Sequence, residues 1–224
     1  VINVEPRVAA YNQQKYQKGI YFPIICDDVI AKKRLERVLP ISQNYVRKYQ
    51  LEGKKVLLFV GRLVALKNVE FALRAFIKAN LDNTVFVIVG DGSEKEKLEK
   101  IAAGNPAVIF TGRLEGDELY AWYNVGQVFT LPSYKEPFGA VTNEALVAGC
   151  KVLISKDAGS NCLVKDGKNG FIIDSRHEMN FIEKLKLAFY SMKPLKMPLE
   201  VKGNMMISSF EENIKKLYSC ISNS

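Results

Sequence analysis

Five apolar residues and a glycine occupy positions 56–61 and read Val56-Leu57-Leu58-Phe59-Val60-Gly61. A short continuous apolar run closed by glycine is typical of a strand that is buried on both faces. Apolar residues then recur at helical spacing between about 68 and 80, at Val69, Leu73, Phe76 and Ile77. Because a helix is predicted directly after a buried strand, this stretch indicates a parallel sheet covered by helices.

The same order of strand and helix repeats along the chain. Further buried strands are predicted at 85–89, 108–110, 128–131, 152–154 and 171–173. Helices are predicted between them, one of them opened by a capping box of Ser93 and Glu96 and another beginning at about Gly139. Right-handed crossovers between parallel strands then give an α/β, doubly wound, Rossmann-like domain over about residues 51–192.

Two segments flank this domain. The chain begins at Val1, and residues 1–50 are the least readable part: 20–25 suits a short edge strand, and 28–51 is helical with an interruption at Pro40. Residues 193–224 are predicted to be a linker followed by an amphipathic helix. The apolar stripe assigned to that last helix consists of Ile207, Phe210, Ile214, Leu217 and Ile221.

Composition narrows the class of protein. The chain has 224 residues, of which 48% are hydrophobic, and its net charge is +8. Four cysteines without metal-ligand spacing indicate a reduced, cytoplasmic compartment, and His177, the only histidine, reads as a surface residue. The charge suits nucleic acid, an anionic membrane or a phosphate-bearing ligand. Since no nucleic-acid-binding signature is found, a local phosphate site is the preferred interpretation.

Charged residues and glycines gather where the predicted strands end. Gly61 and Arg62 follow the first strand, Lys67 lies a few residues further on, and Gly90-Asp91-Gly92 follows the second strand. Arg113 and Leu114 come just after the third. Ligands of parallel sheets bind outside the carboxyl ends of the strands, so these residues predict one common site. Taken alone, each cation is equally well explained as a solvated loop residue.

Two acids surround the helix predicted after the fourth strand. Glu136 stands before the helix, and Glu144 lies one turn inside it, on a stripe shared with Ala140 and Ala148. A glutamate among small residues is unusual, because an acid without a partner prefers a solvated face. On spacing alone, an ordinary strand–loop–helix unit with two solvated acids remains an equal alternative.

The motifs occur in a recognisable order: Gly61-Arg62-Leu63 with Lys67, Val89-Gly90-Asp91-Gly92, Phe110-Thr111-Gly112, Pro132-Ser133 with Glu136-Pro137-Phe138-Gly139 and Glu144-Ala145, and Asp166-Gly167 with Asn169-Gly170. Over about residues 52–175 the chain resembles the C-terminal, donor-binding domain of family 4 retaining glycosyltransferases of the GT-B fold. It departs from that pattern at Asn68, where glycine is usual, at Ala158-Gly159 instead of two glycines, and at Cys162 instead of glutamate.

The resemblance implies a nucleoside-diphosphate sugar as donor, with no metal or other cofactor. Arg62 and Lys67 would hold the diphosphate, and Glu136 would contact the donor sugar. Glu144 would contact the ribose, and Arg113 and Leu114 would contact the base. The rest of the donor would be bound by the Gly61 turn, Phe138 and the amides of Gly139, Ala140 and Val141.

The resemblance also implies what lies outside the chain. A GT-B enzyme has two Rossmann-like domains, so residues 1–50 would be the trailing segment of an N-terminal domain that is not in this sequence. The expected activity is transfer to a glycan or lipid-linked acceptor in polysaccharide biosynthesis, in the cytoplasm and peripheral to the inner face of the membrane, with little turnover by this segment alone. A non-catalytic nucleotide-binding module and a sugar-nucleotide epimerase of the same fold remain alternatives.

Overall fold

The computed structural model describes residues 2–3, 6–17, 20–22 and 25–222. Its strands are β1 (Ile2–Asn3), β2 (Ile20–Tyr21), β3 (Lys55–Val60), β4 (Thr84–Val89), β5 (Val108–Gly112), β6 (Val128–Leu131), β7 (Lys151–Ser155) and β8 (Gly170–Ile173). Its α-helices are α1 (Pro6–Tyr16), α2 (Asp28–Arg37), α3 (Leu39–Lys48), α4 (Val69–Ala79), α5 (Lys95–Ala102), α6 (Gly116–Val125), α7 (Val141–Val147), α8 (Glu178–Tyr190) and α9 (Phe210–Ser222). Short 3-10 helices span Ala65–Lys67 and Gly159–Leu163.

Six parallel strands form the central sheet in the order β5-β4-β3-β6-β7-β8. β3 pairs with β4 along its whole length, from Lys55 opposite Thr84 to Val60 opposite Val89. The side chains of β3 between its ends are fully buried, as expected for a strand covered on both faces. The predicted fold class, a doubly wound Rossmann-like α/β domain, is confirmed.

Helices cover both faces of this sheet. The chain passes from β3 through α4 to β4 and through α5 to β5, moving away from the centre, and α4 also contacts α8. It then returns through α6 to β6 and continues through α7 to β7 in the opposite direction. With the right-handed crossovers that parallel strands adopt, this reversal of direction places α6 and α7 on the face opposite to α4 and α5. α2 and α3 pack against α6 on that second face.

The first residues form a separate unit. β1 and β2 pair in parallel, with α1 between them, and are not part of the central sheet. The predicted edge strand is therefore present at Ile20–Tyr21, while Pro23 and Ile24 lie outside the described residues. The interruption predicted at Pro40 falls at Val38, so the proline occupies the first turn of α3, where its missing N–H leaves no helical bond unmade.

Three local predictions are wrong. The helix expected from about Gly139 begins at Val141, because Gly139 has a φ of +90° that no helical residue adopts. The capping box of Ser93 and Glu96 is not formed, because α5 begins at Lys95. Its N-cap residue is Glu94, whose side chain makes no capping hydrogen bond with the described residues. The last helix begins at Phe210, which places Ile207 before it.

The segment after α8 returns to the sheet domain before α9 begins. The backbone N–H of Leu195 donates to the Lys54 carbonyl at 2.8 Å, and the side chains of Leu195 and Leu199 are buried in the core. The Lys202 ammonium then donates to the carbonyls of Tyr123, Asn124 and Gly126 at 2.9, 2.7 and 2.5 Å. α6 has no basic residue in its own last turn, and Lys202 lies where a helix C-terminus favours a positive charge. Burial lowers the pKa of Lys202, which the three carbonyl acceptors oppose.

Within the part of the chain that the structure describes, the helices are too short or too polar to cross a bilayer.

Candidate functional site

The chain leaves the sheet in opposite directions at its centre, where β3 and β6 are neighbours. β3 continues into α4 on one face, and β6 continues into α7 on the other. The loops at 61–68 and 132–140 therefore begin at adjacent strand ends and lead to opposite faces of the sheet, which makes this position a switch point with a crevice outside the carboxyl ends of both strands expected from the topology. In parallel α/β sheets such a switch point is the place where ligands bind.

Lys67 and Glu136 meet across this crevice. The Lys67 ammonium forms an ion pair with Glu136 Oε2, and the two side chains are only 18% and 12% exposed. The backbone N–H of Tyr134 also donates to the carbonyl of Leu66 at 3.0 Å, which fastens the two loops together. The fold thus brings together two of the three residues that the sequence predicts to be catalytic, although 69 positions separate them.

A cavity of about 400 Å³ lies at the carboxyl ends of β3, β4 and β5. Four predicted site residues line it: Gly61, Arg62, Arg113 and Leu114. Arg62 is exposed and forms no ion pair with the residues described here, whereas Arg113 contacts Glu115. An unpaired guanidinium at the wall of a cavity suits an anionic ligand.

Two acidic residues, Asp91 and Glu115, also line this cavity. The sequence places Asp91 at this edge only as part of the Gly90-Asp91-Gly92 turn, without a role in binding, and Glu115 is not among the predicted residues. Asp91 follows the second predicted strand closely, and Glu115 is next to the predicted site residues Arg113 and Leu114, which is the signal that could identify them. Asp91 accepts a hydrogen bond from the Gly92 amide at 2.7 Å and pairs with Lys95 at 3.2 Å. The Gly92 amide first, and then Lys95, lower the pKa of Asp91, so this carboxylate is charged at neutral pH.

Gly90 determines how closely the strand ends approach at this cavity. A Cβ at this position would lie 1.9 Å from the carbonyl oxygen of Gly61, so only glycine fits. The amide of Gly90 donates to the Gly112 carbonyl at 2.9 Å, and the amide of Gly61 donates to the Val89 carbonyl at 3.0 Å. Gly61, Gly90 and Gly112, at the ends of β3, β4 and β5, therefore join three adjacent strand ends through backbone hydrogen bonds.

The loop that carries Glu136 is held by the segment after β7. The Gly159 amide donates to the Glu136 carbonyl at 3.0 Å, and the Ser160 amide donates to the Phe138 carbonyl at 2.7 Å. A Cβ on Gly159 would lie 2.2 Å from the Pro137 carbonyl oxygen. The departure at Ala158-Gly159 thus keeps glycine at the position where the backbone requires it, and the buried Ala158 needs none.

The departure at Asn68 is also compatible with the local backbone. Asn68 has φ +53° and ψ +38°, a left-handed conformation that asparagine adopts more readily than other non-glycine residues. Its side-chain amide donates to the Ser175 carbonyl at 3.2 Å. Asn68 can therefore replace glycine between Lys67 and α4 without moving the lysine.

The predicted donor-binding residues at the start of α7 are one buried side chain and three backbone amides. Phe138 is 5% exposed and belongs to the hydrophobic core, so its side chain anchors the loop. The first helical hydrogen bonds run from Thr142 to the Gly139 carbonyl and from Asn143 to the Ala140 carbonyl. The amides of Gly139, Ala140 and Val141 precede this ladder and have no helical acceptor.

Glu144 is held by a residue that the sequence analysis missed. The Tyr123 hydroxyl, on α6, donates to Glu144 Oε2 at 2.7 Å. Burial, and secondarily the negative charge of Glu144, raise the pKa of the nearby Cys26 thiol to about 11. Glu144 therefore lies beside neutral partners on the α6 side of α7, and no short-range sequence signal links it to a tyrosine 21 positions earlier.

A doubly wound parallel sheet with a switch point between β3 and β6 makes the chain a Rossmann-like α/β domain, a fold that GT-B glycosyltransferases also contain. The family described as Glycosyl transferases group 1 matches residues 42–197, and the chain belongs to this family.

Two relatives and one solved structure illustrate the match. The sulfoquinovosyl transferase SQD2 of Arabidopsis thaliana is 35% identical over 136 residues, which cover 59% of this chain and 26% of that protein. A GDP-mannose-dependent α-mannosyltransferase of Mycolicibacterium smegmatis is 34% identical over 133 residues, covering 59% and 34%. The chain therefore matches about a quarter to a third of these relatives. The structure of Anabaena HepE in complex with UDP covers 100% of this chain and 64% of its own with a TM-score of 0.73; at 15% identity it shows the fold alone.

Proposed function

We propose that this chain is the donor-binding domain of a retaining glycosyltransferase that takes a sugar from a nucleoside-diphosphate sugar. The observation that carries the proposal is the Lys67–Glu136 pair at the switch point of the sheet. A cation and a carboxylate held together in a crevice are the two groups needed to bind a diphosphate and an adjacent sugar hydroxyl. The family match and the relatives named above support sugar transfer as the activity.

In this proposal the base occupies the cavity lined by Arg113 and Leu114, and the diphosphate lies towards Arg62 and Lys67. The ribose binds at Glu144 on α7. When the bond between the sugar and the diphosphate breaks, negative charge develops on the leaving diphosphate. The two cations stabilise this charge, which is the role that a metal has in other transferases. Glu136 accepts hydrogen bonds from the donor sugar and keeps the Lys67 ammonium in the crevice before the donor binds.

The acceptor and the remaining catalytic groups belong to a second domain in this proposal. The parallel β1–α1–β2 unit supports it, because a two-stranded parallel sheet is unstable alone and is typical of the end of a larger sheet. Residues 1–50 would then be the trailing segment of the N-terminal domain, and transfer to a glycan or lipid-linked acceptor at the inner face of the membrane would need the longer protein.

Nucleotide titrations of the 224-residue chain test the donor site. We expect calorimetry or NMR to show binding of UDP, GDP or their sugars, unchanged by a metal chelator. Arg62→Ala and Lys67→Ala should each weaken binding by about tenfold or more, since each removes a charge-assisted hydrogen bond. Lys215→Ala, on the exposed face of α9, is the control and should leave the affinity unchanged. Absence of binding by any nucleoside diphosphate at millimolar concentration would refute the site.

Transfer assays on the longer protein distinguish an enzyme from a module that only binds nucleotides. Glu136→Ala and Lys67→Ala should reduce transfer strongly while the anomeric configuration of the product matches that of the donor. If nucleotide binds at this site but both variants keep full activity, the two residues have no catalytic role. Conversion of the donor to its epimer without an acceptor would identify a sugar-nucleotide epimerase instead.

A further inference from the structure

The side chain of Tyr123 is fully buried, yet its hydroxyl reaches a carboxylate of the candidate site. It donates to Glu144 Oε2 at 2.7 Å, from α6 to α7. The proposed function does not use this tyrosine. A buried hydroxyl bonded to an acid that is itself only part-buried links the core of the domain to its ligand-binding surface.

The position of this hydroxyl is fixed from several sides. The Tyr123 ring packs edge-on against Tyr120, with 5.8 Å between centroids, and is tilted against Phe129 on β6 at 6.3 Å. Its backbone carbonyl accepts a hydrogen bond from the Lys202 ammonium at 2.9 Å. Ring and backbone are thus held independently, so the hydroxyl cannot turn away from Glu144 without disturbing the core.

The bond also leaves Glu144 able to bind a ligand. Burial, and then the charge of Glu144, raise the pKa of Tyr123 well above its usual value, so the phenol stays protonated and acts as a donor. Oε1 of Glu144 has no hydrogen-bond partner within residues 25–222. One oxygen of the carboxylate is therefore fixed, and the other remains available to a ligand hydroxyl.

We propose that Tyr123 is a positioning residue that orients the Glu144 carboxylate towards the ribose hydroxyls of the nucleoside diphosphate. This inference rests on the proposed function, because it requires the nucleotide to bind beside α7. A glutamate side chain has several rotatable bonds, and holding it in one orientation before binding reduces the entropy lost when the ribose is bound. Tyr123 itself touches no ligand.

The test compares UDP with 2′-deoxy-UDP and 3′-deoxy-UDP, using the wild-type chain, Tyr123→Phe and Glu144→Gln, with GDP analogues if GDP binds better. The wild type should prefer the ribonucleotide by about tenfold or more over each deoxy analogue. Tyr123→Phe should weaken UDP binding by about 3- to 30-fold and leave the deoxy analogues nearly unchanged, so the preference shrinks. Adding Tyr123→Phe to Glu144→Gln should cause little further loss.

Tyr45→Phe is the matched control. It removes a hydroxyl from a tyrosine that stacks on Trp122 at 4.7 Å and should leave the preference for ribose unchanged. Equal weakening of ribo- and deoxynucleotides by Tyr123→Phe would mean a purely structural effect and would overturn the inference, as would an unchanged ribose preference. If the wild-type chain binds no nucleoside diphosphate, the donor site itself is refuted and the inference falls with it.

Discussion

Replacing Lys67 with methionine tests how much the ion pair in the crevice contributes to stability. Lys67→Met keeps an unbranched side chain but leaves Glu136 without its cation in a site where the carboxylate is 12% exposed. An exposed ion pair contributes about 0–1 kcal/mol, and removing one partner of a fully buried pair costs about 3–5 kcal/mol. This pair lies between these limits, so we expect the free energy of unfolding to fall by about 1–3 kcal/mol.

Urea denaturation followed by tryptophan fluorescence measures this change, because Trp122 is the only tryptophan and is fully buried. The expected shift of the midpoint is about 0.5–1 M. Lys215→Met removes the cation of an exposed pair, in which the lysine and glutamate are 73% and 75% exposed, and should change stability by less than about 0.5 kcal/mol.

The double variant Lys67→Met/Glu136→Gln should recover most of the lost stability, because it no longer leaves a charge unpaired. Equal effects of Lys67→Met and Lys215→Met would refute the reasoning. A double variant less stable than Lys67→Met would refute it as well.

Three further predictions can be measured with the same assay. Gly90→Ala should cost at least about 2 kcal/mol, because its Cβ meets the Gly61 carbonyl, whereas Gly203→Ala, with no atom within 4 Å of the new Cβ, should cost less than about 0.5 kcal/mol. Folding favours the neutral Cys26 thiol, because the pKa of the thiol rises from 9.0 to about 11. The stability gained from this shift is complete below pH 9 and is lost as the pH rises to about 11. Cys26→Ser should therefore flatten the fall of stability in that pH range. Lys202→Met should cost about 2–4 kcal/mol by leaving the carbonyls at the end of α6 without their donor, and a change below 0.5 kcal/mol would contradict this role.

The strands of the sheet can be predicted from the sequence because each one is marked by a few neighbouring residues. Each central strand is a short apolar run that ends in glycine or a turn. In a parallel sheet, right-handed crossovers then determine which face each connecting helix covers. The carboxyl edge follows from the same rule, which predicts that Gly61, Arg62, Arg113 and Leu114 lie together, as they do in the cavity.

The remaining errors and omissions come from backbone conformation and long-range contacts. The start of α7 depends on the positive φ of Gly139. The start of α5 depends on a long-range contact, in which the Glu94 amide donates to the Leu63 carbonyl at 2.9 Å. The Tyr123–Glu144 hydrogen bond arises only when α6 and α7 pack on one face. Spacing along the chain therefore indicates which residues gather at the sheet edge, but not which side chains orient one another.

The ammonium of Lys202 also determines where a stable truncated chain can end. A chain cut after Tyr190 would keep all six strands of the central sheet and every residue of the crevice. The carbonyls of Tyr123, Asn124 and Gly126 would nevertheless lose the donor that they share. Tyr123 is the residue that holds Glu144, so we expect the loss to extend to the candidate site. Residues 193–206 thus close the end of α6 in the way that a capping sequence closes a helix, although they come from a distant part of the chain.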